Sequence, residues 1–247
     1  MDLGAYLVGI FAGCFYLIAS VRLWRLSRRT GERPELLLSL FFACSGQWYL
    51  LFDAAGLLEI DPLPSAVQQG IEWIYAVGVV AYVCFLRRVF RADAAWARVV
   101  AWISSSLIIA GAAGSTIRGG FSNEIQDPAF LIEWVGYTIP CIWMFAEGLV
   151  AHSAAKKRAC FGLGDGGSAN RWFLWTCFGF SQIASCVADL RWAYQNSVTT
   201  GAASMGDELL GFVEISSVAV LWLVFFPPSI YAKWVARRAA RRETGAI

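Results

Sequence analysis

The stretch "LLGFVEISSVAVLWLVFF", residues 209–226, is apolar enough to cross a lipid bilayer, yet Glu214 and the pair Ser216–Ser217 sit inside it. A bilayer core calls for about 20 apolar residues in a helix, and an ionisable side chain within such a segment is costly. Segments of the same kind recur along the chain. Of its 247 residues, 58% are hydrophobic and 15% charged, where soluble domains carry about 25% charged residues. The expected fold class is therefore all-α and membrane-integral, with the lipid bilayer as the first partner. Seven spans and their connections use nearly the whole length, which leaves no room for a kinase, nucleotide-binding or DNA-binding module. No nucleic-acid partner is expected.

Apolar runs between polar breaks place the spans at about 4–24, 35–58, 66–90, 96–117, 129–151, 171–195 and 207–232. They form one transmembrane domain over 1–235, followed by a short basic tail over 236–247. Lipid offers the backbone no hydrogen-bond partners, so each span should be a helix. The opening "MDLGAY" has no basic residue, and Arg22, Arg25, Arg28 and Arg29 follow the first apolar run. That order is the reverse of a signal peptide. Eighteen of the 20 lysines and arginines fall after spans 1, 3, 5 and 7, leaving Arg118 and Arg191 on the other side. Basic residues collect on the cytoplasmic face. The expected topology is N-terminus outside and C-terminus cytoplasmic, in the plasma (inner) membrane of a bacterium.

Several motifs carry no chemistry. The seven cysteines form no CxxC pair, so they read as small buried hydrophobes rather than metal ligands. The loop "FGLGDGGSAN" (161–170) lacks the Lys-Ser/Thr ending of a phosphate-binding loop; it reads as a connection ending in Asn170 as a helix N-cap. A single histidine, His152, is too few for a histidine-built zinc site or a bis-histidine haem. It reads as an interfacial residue.

The informative residues are the acids within spans. Helix 2 reaches Asp53 late, helix 3 meets Glu72 early, helix 5 meets Glu133 early, helix 6 reaches Asp189 and Arg191 late, and helix 7 meets Glu214 about two turns in. With alternating helix directions, five acids arrive at one end of the bundle. Gln68, Glu72 and Tyr75 share a helical face, as do Gln182, Ser185 and Asp189, and as do Glu133, Tyr137, Pro140, Met144 and Glu147. These faces predict an outward-opening polar cavity rimmed by aromatic residues, with no metal ion. Asp53 and Glu133 also have a plainer reading, as end-of-span residues reaching to the headgroups. Arg191 also has a structural one, pairing with Asp189 or Glu214. The strings "IEW" (71–73), "IEW" (132–134) and "VEI" (213–215) further suggest that helices 1–3 and 5–7 are parallel repeats around helix 4.

Glu72–Trp73 on helix 3, "IIAGAAGS" (108–115) on helix 4 and "VEISSV" (213–218) on helix 7 resemble motifs of the microbial (type I) rhodopsins, as does the seven-helix topology. The resemblance implies a pocket built from Glu72, Trp73, Glu214 and Ser217. Its departures are specific. Val218 stands where the family's retinal-binding lysine would be, and Lys156, Lys157 and Lys233 all lie at or beyond the cytoplasmic edge. Gln69 replaces the helix 3 arginine, and helix 6 has no Trp-x-x-Tyr-Pro. No covalent retinal and no other cofactor is expected. The reading is a small heptahelical receptor or sensor whose acidic pocket holds a ligand and which signals through a separate cytoplasmic partner. The alternatives are a proton-coupled small-solute transporter and a membrane enzyme or assembly partner. An oligomer is compatible with each.

Overall fold

A computed structural model describes residues 3–60, 63–119, 125–161, 163, 166–198, 205–231 and 233–235. The basic tail at 236–247 lies outside the described residues. The elements are α1 (Leu3–Thr30), α2 (Arg33–Leu57), α3 (Ser65–Phe90), α4 (Ala95–Ile117), α5 (Pro128–Cys160), α6 (Gly166–Val198) and α7 (Met205–Phe225). Among the described residues there is no strand. Six helices among the described residues are long and apolar enough to cross a membrane, or seven if α7 and the short helix beyond its bend count as one span. Their outer faces are apolar: Phe11 and Ile18 on α1, and Val99, Trp102 and Ile103 on α4, are exposed. Water would penalise such surfaces, and lipid does not.

The boundaries of α2, α3 and α4 fall within two residues of the expected spans. By contrast α1 runs on to Thr30, α5 runs on to Cys160 and α6 begins already at Gly166. Hydropathy marks where a helix leaves lipid, not where its hydrogen-bond ladder ends; at the ends of α1 and α5, Arg and Lys, good helix formers, carry the ladder beyond it. Asn170 is accordingly not an N-cap. It lies inside α6, where its side-chain amide donates to the Tyr231 hydroxyl at 2.8 Å. The seventh span is not one straight helix either. Pro227 and Pro228 supply no N–H; α7 stops at Phe225, and Ser229–Val235 departs at 68° to it.

The chain divides into two compact units, Met1–Pro140 with Ser185–Ile215, and Cys141–Ala184 with Ser216–Ile247. In the first, small residues bring helices together. A Cβ on Gly46 of α2 would stand 2.9 Å from the Gly13 carbonyl of α1. Further along the same contact, Ser20 and Ser39 each donate to the other's carbonyl, at 2.8 and 2.9 Å. Between α2 and α3, Phe41 stacks on the fully buried Tyr82 at 4.6 Å. The "IIAGAAGS" string of α4 has a packing role: Gly111 and Gly114 admit Glu133 and Ala129 of α5, and Ser104 donates to the Gly136 carbonyl at 2.7 Å. Close backbone approach through small residues is a common means of associating helices in lipid.

The second unit uses the same device. Gly148 of α5 faces Thr176 of α6, and Gly179 of α6 faces the backbone of Phe145. His152 Nδ1 bonds to the Ala169 carbonyl at 2.8 Å, tying α5 to α6.

Candidate functional site

Within the first unit the acids fall into two groups. The larger group gathers around Tyr49 on α2. Its hydroxyl donates to Glu214 of α7, and Glu214 lies within electrostatic reach of Asp53 on α2 and Asp189 on α6. Tyr49 also neighbours Tyr16, Tyr75 and Asp189. Tyr49 and Asp53 are four residues apart, so one face of α2 carries both. Opposite them α1 supplies Gly9, where any Cβ would collide with the Asp53 carboxyl. Tyr16 stacks on Phe42 with ring centroids 5.5 Å apart and lies 5.6 Å from the Tyr49 ring. Trp48 packs on Phe52 at 5.0 Å and on Tyr75 at 5.8 Å. The site is thus three carboxyls from three helices, set among aromatic rings.

The smaller group lies between α3, α4 and α5. Glu72 faces Glu133 and Ser115; Glu72 is 4% exposed and Ser115 1%. Neither carboxyl oxygen of Glu72 meets hydrogen-bond geometry with a protein donor, and the same holds for Glu133 Oε2 and Ser115 Oγ. Tyr75 and Tyr137, each one turn on from its glutamate, meet at 6.0 Å. The two "IEW" tryptophans act alike. Trp73 donates to Thr116 Oγ1 of α4 at 3.0 Å, and Trp134 donates to the Cys186 carbonyl of α6 at 2.8 Å. Each glutamate turns inward while the next residue fastens its helix to the following one.

Other candidates stand apart. Gln68 is half-buried in the first turns of α3 and Arg191 is exposed. No ion pair between Arg191 and Asp189 or Glu214 is present among the described contacts. An arginine does pair with an acid elsewhere: Arg118 at the end of α4 meets Asp127, whose carboxylate also accepts the Ala129 N–H at 2.8 Å as the N-cap of α5. Gln182 and Ser217 belong to the second unit. There Gln182 donates to Ser217 at 3.4 Å, Ser217 donates to Ser181 at 2.8 Å and Ser181 to the Phe178 carbonyl at 2.8 Å. This relay closes α6 on α7. Val218, beside it, is buried, and Lys156, Lys157 and Lys233 are exposed.

Shallow hollows lie along the second unit, one among Leu149, Val150, Ser153, Ala154 and Lys157 and one between Ala151 of α5 and Trp172 of α6. Among the described residues no group of three or more His, Cys, Asp and Glu is arranged to hold a metal ion. Sequence reading missed Gly9, Tyr16, Tyr49 and Ser115. Only Tyr49 had a usable signal, its four-residue spacing from Asp53. Neither a family model, nor a curated protein, nor a solved structure matches the chain.

Proposed function

We propose that the chain is a heptahelical membrane receptor or sensor whose ligand is a small cation. The observation that carries this reading is the convergence of Asp53, Asp189 and Glu214 on Tyr49, with Arg191, the nearest cation in sequence, exposed. Several carboxyls in a low-dielectric setting attract positive charge strongly, and the faces of Tyr16, Tyr49 and Trp48 add cation–π attraction for an organic cation. In this reading the acids face the outside and the basic loops face the cytoplasm, where a separate partner receives the signal. The setting is the plasma membrane of a bacterium. The lack of a lysine at Val218 goes with a site that holds its guest without a covalent bond. Signalling then requires that the cation bind one helix arrangement better than another.

The test uses the purified full chain with a panel of primary amines and tetramethylammonium. A sensor shows a cation-dependent rise in melting temperature that Glu214→Gln weakens at least tenfold in apparent affinity, while proteoliposomes take up none of the cations. A second reading, a proton-coupled carrier, is favoured by the separate Glu72–Glu133 pair, since carboxyls spaced through a bundle are the usual parts of a proton relay. Uptake driven by a proton gradient would select it. Absence of both binding and uptake would remove the two readings together.

A further inference from the structure

We infer that Glu72, Glu133 and Ser115 form a site that holds one exchangeable proton, distinct from the cluster around Tyr49. Four oxygens meet here with no partner in full hydrogen-bond geometry, both of Glu72, Oε2 of Glu133 and Oγ of Ser115, although Glu72 lies within hydrogen-bonding range of Ser115 and Glu133. Buried polar atoms in a folded chain almost always have a partner, and within lipid-embedded helices water is not freely available to supply one. Four orphans gathered at one point therefore call for a hydrogen-bonding occupant. One proton bound between the two carboxyls gives an O–H···O bond across α3 and α5. The Ser115 hydroxyl is then free to turn its own hydrogen onto the second Glu72 oxygen. This assignment satisfies all four atoms and adds no heavy atom to a closely packed contact.

The surroundings hold the pair in place. Gly111 lets the α5 backbone at Glu133 lie directly against α4, where a Cβ would stand 2.8 Å from the Glu133 nitrogen. Trp73 and Trp134, next in sequence to the two glutamates, anchor α3 and α5 to their neighbours. The charged groups facing the pair are few. Asp127 of the α5 N-cap acts on Glu72, and Arg118 from the end of α4 pairs with Asp127. On α2, which packs on α3, Asp53 faces Gly9 and Glu214 instead. Among the described residues no lysine or arginine pairs with either glutamate, so a proton is the positive charge that suits the site.

Infrared spectroscopy of the full chain in lipid nanodiscs tests this directly. At neutral pH the wild type should show a protonated-carboxyl C=O band that shifts in D₂O and disappears reversibly as pH rises. Glu72→Gln and Glu133→Gln should each abolish that band at its wild-type position, because both residues share one proton. Ser115→Ala should move the band without removing it. The wild-type spectrum can overturn the proposal even if a variant fails to fold, by showing no protonated-carboxyl band at neutral pH. It is also overturned by a band unchanged by both glutamine substitutions, which places the proton elsewhere, or by a band erased by sodium at constant pH, which makes the occupant a metal cation. The Tyr49 cluster is read out by amine binding, so failure of that reading leaves this one standing, and the reverse.

Discussion

At the scale of the residue, the most consequential position is one with no side chain. Gly9 gives the Asp53 carboxyl its space, and any Cβ there would overlap it. Gly9→Ala must therefore push Asp53 away from Glu214, and overpacking of this kind costs about 1–3 kcal/mol. The expected outcome is a loss of cation-dependent thermal stabilisation comparable to that of Asp53→Asn. Gly4→Ala on the same helix, where a Cβ would meet nothing within 4 Å, should be neutral or slightly stabilising. Ser20 and Ser39 provide a second check, as their hydroxyl oxygens also lie within hydrogen-bond distance of each other, at 3.1 Å. A double-mutant cycle to alanine, read by thermal unfolding in detergent, should give a coupling of about 0.6 kcal/mol and no more than about 1.7. The acids were legible in sequence because a carboxylate in an apolar run has few innocent explanations. Gly9 and Ser115 were not, because small residues are ordinary within spans and only the facing helix gives them meaning.

At the scale of the element, what sequence conveys well is the apolar length of a helix, and what it conveys poorly is where the helix stops. The ends follow from capping. After α2, Ile60 N–H bonds to the Ala55 carbonyl at 2.9 Å and Glu59 N–H to that of Gly56 at 3.2 Å, with Glu59 at φ 57°. This two-bond closure usually has glycine at the left-handed position, and a side chain there costs about 1 kcal/mol. Glu59→Gly should raise the melting temperature by about 2–4 °C. Asp127 is the opposite case, a good cap already in use: it accepts the Ala129 N–H and pairs with Arg118. Its replacement by alanine should cost about 1–2 kcal/mol, mostly from the cap, since Arg118 is partly solvated and exposed ion pairs contribute little. Asn170 shows why the residue type is not enough. It has the chemistry of a cap, but α6 starts four residues earlier and its amide serves Tyr231 instead.

At the scale of the whole molecule, the open question is one of parity. Among the described residues six helices pass as membrane spans outright, and the seventh passes only if α7 and Ser229–Val235 are taken together across their 68° bend. Hydropathy over 207–232 reads as a single span because an average over a window does not register that Pro227–Pro228 interrupts the ladder. The consequence is testable, because an odd number of crossings puts the two termini on opposite sides and an even number puts them on the same side. Single cysteines at Thr30, the last residue of α1, and at Leu58, after α2, would be introduced into a cysteine-free chain with a third at Ala246 in the tail. The charge bias of the loops predicts that a membrane-impermeant maleimide labels Leu58→Cys in intact cells and Thr30→Cys only after permeabilisation. If α7 crosses, Ala246→Cys behaves like Thr30→Cys; if the bend turns the chain back, it behaves like Leu58→Cys. Labelling of Thr30→Cys from outside would invert the topology. The acids around Tyr49 would then face the cytoplasm, and a sensor of external cations would be excluded whatever its affinity in detergent.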